Sequence, residues 1–245
     1  MFSENKSILE VHNITKSFGK LTAVNNASFD VKKGEILGIA GPNGAGKTTL
    51  FNCITGIPYK PESGEVIFED EDIIKRPPYD ICKLGIARTF QKPVSFHSFS
   101  IEKNVEIGSL FGNRNKSNAK KNVKELLEFV GLYDKKDKVA KDLTLYEIKM
   151  LMMATALATE PKILMLDEPV GGLSKEEINK TMSKINEING EGVTIIIVEH
   201  IMTFLMTCSN RMVIMNRGEI IAEGACAEVA DNPTVAEVYF GTKIV

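Results

Sequence analysis

The stretch Glu35–Thr55 constrains the fold more than any other part of the chain. It contains Gly41-Pro42-Asn43-Gly44-Ala45-Gly46-Lys47-Thr48-Thr49, a match to the phosphate-cradling pattern G-x-x-x-x-G-K-[ST]. The run before it, Glu35-Ile-Leu-Gly-Ile-Ala-Gly, reads as a buried strand. The run after it, Lys47-Thr-Thr-Leu-Phe-Asn-Cys-Ile-Thr, reads as a helix. Glycines allow positive φ and close backbone approach. Successive N–H groups then form a nest, and the helix N-terminus adds partial positive charge. Lys47 is expected to reach the outer phosphates and the Thr48 hydroxyl to ligate Mg²⁺.

The chain has 245 residues, enough for one large α/β domain or a core with a subdomain. Its net charge of −2 shows no basic bias, so charge gives no reason to expect a nucleic-acid partner. No run approaches the roughly 18 apolar residues of a membrane span. The start, Met1-Phe-Ser-Glu-Asn-Lys, lacks the apolar region of a signal peptide. Cys53, Cys82, Cys208 and Cys226 are scattered without metal-ligand spacing and read as free thiols. Any action at a membrane would therefore run through a partner.

Strand patterns occupy residues 8–35, 61–68, 163–167 and 193–198, and 212–224 reads as a hairpin with a glycine turn. Helix patterns cover a segment with Val123, Leu126, Leu127 and Val130 at helical spacing, a second segment up to about Thr159, and Lys175 to Asn189. The segment Gly112–Asn118 is polar, and Tyr133–Asp142 reads as a charged connector. Strands alternating with helices imply a mostly parallel sheet covered on both faces. The helical stretch from about 90 to 155 interrupts that alternation and implies an inserted subdomain.

Ile163-Leu-Met-Leu-Asp167-Glu168 is an apolar run ending in two acids. A buried strand can present Asp167 to Mg²⁺ beside bound phosphate, and Glu168 can polarise an attacking water.

With these residues in order, the chain resembles the ATP-binding subunits of ABC transporters over nearly its full length. The resemblance implies an α/β fold: a P-loop NTPase core with a mostly parallel sheet, an N-terminal antiparallel β subdomain and an inserted helical subdomain. It implies a core at 8–90 and 156–225, a helical signature subdomain at 91–155 and a tail at 226–245. Phe18 matches the aromatic residue that stacks on adenine. Thr89-Phe-Gln91 matches the loop whose glutamine senses Mg²⁺ and water and couples to the membrane domain. Asp167-Glu168-Pro169 matches the Walker B end, Gly171-Gly-Leu-Ser174 the D-loop, and Val198-Glu-His200 the switch histidine at the γ-phosphate. ATP and Mg²⁺ are the implied cofactors.

One motif departs from the family. Where Leu-Ser-Gly-Gly-Gln is usual, this chain has Leu143-Thr144-Leu145-Tyr146-Glu147. In the family that loop reaches the γ-phosphate held by the opposite subunit. Leu145 and Tyr146 add bulk there, and Glu147 places a carboxylate where it is unhelpful unless it points away. Met150, Met152 and Met153 follow, as core packing or as an adaptable partner surface.

The segment Leu157-Ala-Thr-Glu-Pro-Lys-Ile-Leu-Met-Leu-Asp-Glu-Pro and the tail Arg217-Gly-Glu-Ile-Ile-Ala-Glu-Gly, Asn232-Pro-Thr-Val and Glu237-Val-Tyr-Phe-Gly resemble most closely the ATPases of branched-chain amino acid importers. Urea or amide importers and lipopolysaccharide-export ATPases have similar cores. The resemblance implies a peripheral subunit on the cytoplasmic face of the membrane. It would pair with a second cassette, either itself or a paralogue, and with integral permease subunits, and indirectly with a substrate-binding protein. A weakly hydrolysing regulatory cassette beside a competent one is the alternative. Soluble cassettes of translation or DNA repair are a further class, but they usually carry two cassettes or long coiled coils. Phe96 and Phe99, in a lightly charged segment after Gln91, are expected to line the groove for a partner's helix or to pack the subdomain.

Overall fold

The computed structural model describes residues 6–112 and 119–240; the polar segment Asn113–Asn118 lies outside them. The described chain divides into two compact units. One runs up to Pro78 and resumes at Thr194; the other is Tyr79–Val193.

The first unit opens with β1 (Ser7–Phe18) and β2 (Leu21–Lys32), an antiparallel pair closing from Phe18 to Leu21. Next come β3 (Ile36–Ala40), α1 (Lys47–Thr55), β4 (Ser63–Phe68) and β5 (Glu71–Asp72). β1, β2, β4 and β5 build an antiparallel sheet in the order β2-β1-β4-β5. Leu9 and Val11 in β1, and Ala27, Phe29 and Val31 in β2, are buried at alternate positions, the period-two signature of a sheet with one face on the core, and a register shift after Val11 brings Ile14 to a buried position.

The second unit contains α2 (Pro78–Leu84), β6 (Ile86–Arg88), α3 (Ile101–Phe111), α4 (Ala119–Phe129), α5 (Leu145–Leu157), β7 (Ile163–Asp167) and α6 (Lys175–Gly190). β6 runs parallel to β7, with Arg88 opposite Met165. α3 packs against α5 and α4. Gly108 permits the approach to α5, because a Cβ there would lie 2.2 Å from the Thr155 carbonyl oxygen. Val123, Leu127 and Val130 are buried, so the helical spacing marks the inward face. Met150, Met152 and Met153 are buried too. Their role is core packing, and the partner-surface reading of these three falls. The connector Tyr133–Asp142 includes two short 3₁₀ turns, Tyr133–Lys135 and Ala140–Asp142.

The chain then returns to the first unit as β8 (Thr194–Val198), α7 (Met202–Cys208), β9 (Arg211–Asn216), β10 (Glu219–Ala225), α8 (Cys226–Ala230) and α9 (Pro233–Phe240). β3 takes a parallel partner on each side, β8 and β9, while β9 and β10 form the expected antiparallel hairpin. Every residue of β3 and β8 is buried, as expected for a strand covered on both faces. The four cysteines are free thiols, and burial pushes the Cys53 and Cys208 thiols up to about 12. Among the described residues, no helix is long and apolar enough to cross a membrane.

Candidate nucleotide-binding site

β3 delivers the chain to the glycine loop, and α1 leaves it. Gly41, Gly44 and Gly46 all have positive φ, at 156°, 80° and 102°. The loop is tied down at both sides. The Gly218 amide donates to the Ala45 carbonyl (2.9 Å), and the Asn25 amide to the Gly218 carbonyl (2.8 Å). The N-cap of α1 is Gly46, so no side chain caps the helix and no acid lies in its first turn. A helix start with neither a capping side chain nor an acid in its first turn suits an anion. Lys47 is buried and bends back over the loop; its Nζ donates to the carbonyls of Gly41 (2.7 Å) and Pro42 (3.1 Å).

Two further expected residues lie in the same unit. Phe18 is exposed and stands edge-on to Tyr59, with centroids 5.0 Å apart. The Lys16 ammonium lies 5.3 Å from the Phe18 centroid and 5.6 Å from that of Tyr59. Phe18 is therefore a surface aromatic rather than a core one. Tyr59, held by an Asn52 Nδ2 donor at 2.8 Å, is a companion that the sequence reading missed. His200 follows β8 with its side chain 45% exposed. The fully buried Glu199 carboxylate accepts from the His200 amide (3.1 Å) and lies 3.5 Å from Nδ1.

The second unit carries the acids. β7 ends at Asp167, whose buried carboxylate is paired with Arg88 at 2.7 Å. Glu168 has φ +48°, a left-handed conformation uncommon for a side-chain-bearing residue. Its carbonyl accepts from Lys149 Nζ at 2.6 Å. A left-handed conformation of this kind persists where neighbours over-determine it. Gln91 is exposed at the head of the loop that runs to Phe99. Arg88 and Lys149 escaped the sequence reading, because only the strand register and the helix placement bring them to the acids.

That loop is well anchored. The buried Asn104 accepts from the Phe96 amide (2.8 Å) and donates Nδ2 to the carbonyls of Phe96 (3.2 Å) and Ser100 (2.9 Å). Phe96 and Phe99 are 51% and 42% exposed and stacked on each other at 5.6 Å. The reading in which they merely pack the subdomain gives way to an exposed aromatic pair on a fixed backbone.

The divergent motif opens the helix that was expected to follow the charged connector. Leu145, Tyr146 and Glu147 form the first turn of α5, with Thr144 as N-cap. The Thr144 hydroxyl accepts from the Glu147 amide (3.3 Å), and the Glu147 carboxylate accepts from the Thr144 amide (2.9 Å), a capping box. Lys135 also pairs with Glu147. Burial raises the Glu147 pKa, but Lys135 and the cap bonds outweigh it and hold the carboxyl below its usual range. The carboxylate thus turns back on its own helix start. The sequence did carry a signal here, since Thr144-x-x-Glu147 is a capping-box pattern.

A buried strand, a loop of glycines with positive φ and a helix that starts from it define a P-loop protein. Residues 24–171 match the family model described as "ABC transporter". The chain belongs to this family and is an ATP-binding cassette ATPase. It is 34% identical over 253 residues to the high-affinity branched-chain amino acid transport ATP-binding protein LivG of Salmonella typhimurium, covering 97% of this chain and 99% of the relative. It is similar to the ADP conformation of MJ1267, an ATP-binding cassette of an ABC transporter. The TM-score is 0.87 at 31% identity, covering 97% of this chain and all of that one. The dimeric, post-hydrolysis cassette MJ0796 bound to ADP and Pi is similar at 25% identity and TM-score 0.80, covering 89% and 98% of the two chains.

Proposed function

We propose that this chain is the ATP-hydrolysing subunit of an importer for branched-chain amino acids, held on the cytoplasmic face of the membrane by permease subunits. The observation that carries this reading is the nearly full-length match to a LivG protein, with 97% and 99% of the two chains aligned. The substrate assignment rests on that relative's name, since an ATPase subunit need not touch the cargo.

Each site residue then has a task. Phe18 offers a ring face to adenine. Lys47 exchanges its loop carbonyls for phosphate oxygens, while the amides from Gly44 to Thr49 line the phosphate chain. Thr48, Gln91 and Asp167 supply hydroxyl, amide and carboxylate oxygens, the hard donors that suit Mg²⁺. Among the described residues no cluster of three or more His, Cys, Asp or Glu could hold a metal alone. This fits an ion shared with substrate phosphates. Bound Mg²⁺ would supply charge neutralisation. Glu168 takes the proton of the attacking water, and His200 orients the γ-phosphate side. Thr144, Leu145 and Tyr146, at the start of α5, would face the nucleotide of a second cassette across a dimer, while the Glu147 carboxylate stays turned back on that helix start. The helical stretch 91–155 carries the contacts to other subunits.

Reconstituted with its permease subunits and substrate-binding protein, the chain should drive ATP-dependent uptake of labelled leucine, isoleucine or valine into vesicles. ATP hydrolysis without uptake of any of the three would overturn the substrate assignment. In the same vesicles, replacing Phe96 and Phe99 together by Asp should abolish uptake and leave hydrolysis by the isolated chain unchanged. Undiminished uptake would remove the aromatic pair from the coupling surface.

A further inference from the structure

The buried ion pair between Arg88 and Asp167 has no part in the roles above. The Arg88 side chain is 4% exposed and that of Asp167 is 0% exposed. Such a pair is a weak stability device, because apolar residues of similar volume often do as well or better. Its surroundings are poor in solvent: Met150, Met152, Met153 and Pro169, together with Lys149, line the same small space as Thr89, Phe90 and Asp167. A full charge at the end of β7 therefore calls for another explanation.

The covalent path supplies one. Arg88 is the last residue of β6, and the next two residues also engage the end of β7 or Arg88 itself. The Thr89 amide donates to the Met165 carbonyl at 2.9 Å, and the Thr89 hydroxyl accepts from the Asp167 amide at 3.3 Å. The Phe90 ring lies 5.2 Å from the Arg88 guanidinium, within cation–π range. The residue after these three is Gln91, which is exposed.

We propose that Arg88 is a positioning residue that sets how strongly the Asp167 side of the site takes Mg²⁺: its guanidinium holds and partly neutralises the Asp167 carboxylate, and its backbone ties that carboxylate to the root of the Gln91 loop. The inference rests on Asp167 being the metal-side acid. A planar guanidinium holds a carboxylate in a set orientation. It also shares the charge that a divalent cation would meet there. Removing the guanidinium leaves the full charge of Asp167 available to Mg²⁺.

The test reads Mg²⁺ dependence without turnover. A fluorescent ADP is bound to wild-type protein and to the Arg88→Met, Arg88→Lys and Asp167→Asn variants, and Mg²⁺ is titrated. The Met variant should lower half-saturating Mg²⁺ by about fivefold or more, because one positive charge near the ion is gone. The Lys variant, which keeps the charge, should stay within about twofold of wild type. A Met variant with unchanged or raised half-saturating Mg²⁺ overturns the proposal. If Asp167→Asn keeps the wild-type Mg²⁺ dependence, the metal-side assignment fails and the role of Arg88 falls with it. If Asp167→Asn shifts while Arg88→Met matches wild type, only the role of Arg88 fails. Should the Met variant not fold, hydrogen exchange on wild-type protein decides. Adding Mg²⁺ to the ADP-loaded chain must change exchange at Thr89, Phe90 and Gln91; unchanged exchange there overturns the proposal.

Discussion

The Glu168→Gln protein should bind ATP as tightly as the unmodified chain and hydrolyse it about 10²–10⁴-fold more slowly, the range expected for loss of a general base. Glutamine keeps the shape of the side chain and loses only its ability to take a proton. The brace on this residue survives the change, because Lys149 Nζ donates at 2.6 Å to the backbone carbonyl and not to the carboxylate. The left-handed φ of +48° is likewise a property of the backbone, not of the carboxylate. Conformations of this kind cost about 1–3 kcal/mol and persist where neighbours over-determine them. Single-turnover hydrolysis and equilibrium ATP binding separate the two effects, and wild-type turnover in this variant would sink the assignment of Glu168. The same protein reports on pairing. A solution mass that doubles with ATP–Mg²⁺ would show that Leu143-Thr144-Leu145-Tyr146-Glu147 can complete a site in a second copy of this chain. A monomer that retains ATP would direct attention to a different partner cassette or to the permease subunits.

What the sequence disclosed and what it hid follow from the range of the interactions involved. The glycine loop and the acid-terminated strand were legible because each is a contiguous pattern whose chemistry depends on adjacent residues. The hairpin of β9 and β10 was legible from Gly218 between two apolar runs. β6 was not: three residues are too few to show a period, and Ile86–Arg88 is defined by its register with Ile163–Met165. The pairing of Arg88 with Asp167 was hidden for the same reason, since 79 positions separate them and only the β6–β7 register aligns them. The Lys149 brace depends on where α5 lies against the end of β7, which no local pattern encodes. The turn of Glu147 onto its own helix start was local and readable. The Thr144-x-x-Glu147 pattern that caps α5 occupies the same positions at which the glycines usual in the family are missing.

Gly46→Ala should weaken ATP binding by about 10²-fold or more, equivalent to about 2.7 kcal/mol, and should lower the melting temperature as well. Gly46 has φ +102°, and a Cβ there would lie 2.2 Å from the carbonyl oxygen of Ala23. That oxygen is backbone on β2, so no side chain can swing aside to relieve the contact. The neighbouring backbone is equally fixed, because Gly218 is bonded on one side to Ala45 and on the other to Asn25. The strain must therefore move Gly46 itself, and Gly46 is the N-cap from which α1 starts. Any shift there re-aims the first amides of the helix, the groups that meet phosphate. Gly44→Ala supplies the contrast. Gly44 has φ +80° but nothing within 4 Å of an added Cβ. It should show only the left-handed penalty of about 1 kcal/mol, a loss of less than about tenfold in affinity. Titration with a fluorescent ATP analogue, alongside thermal unfolding of the two variants, measures both quantities. Equal losses at Gly44 and Gly46 would mean that the clash with β2 does not set the geometry of the cradle.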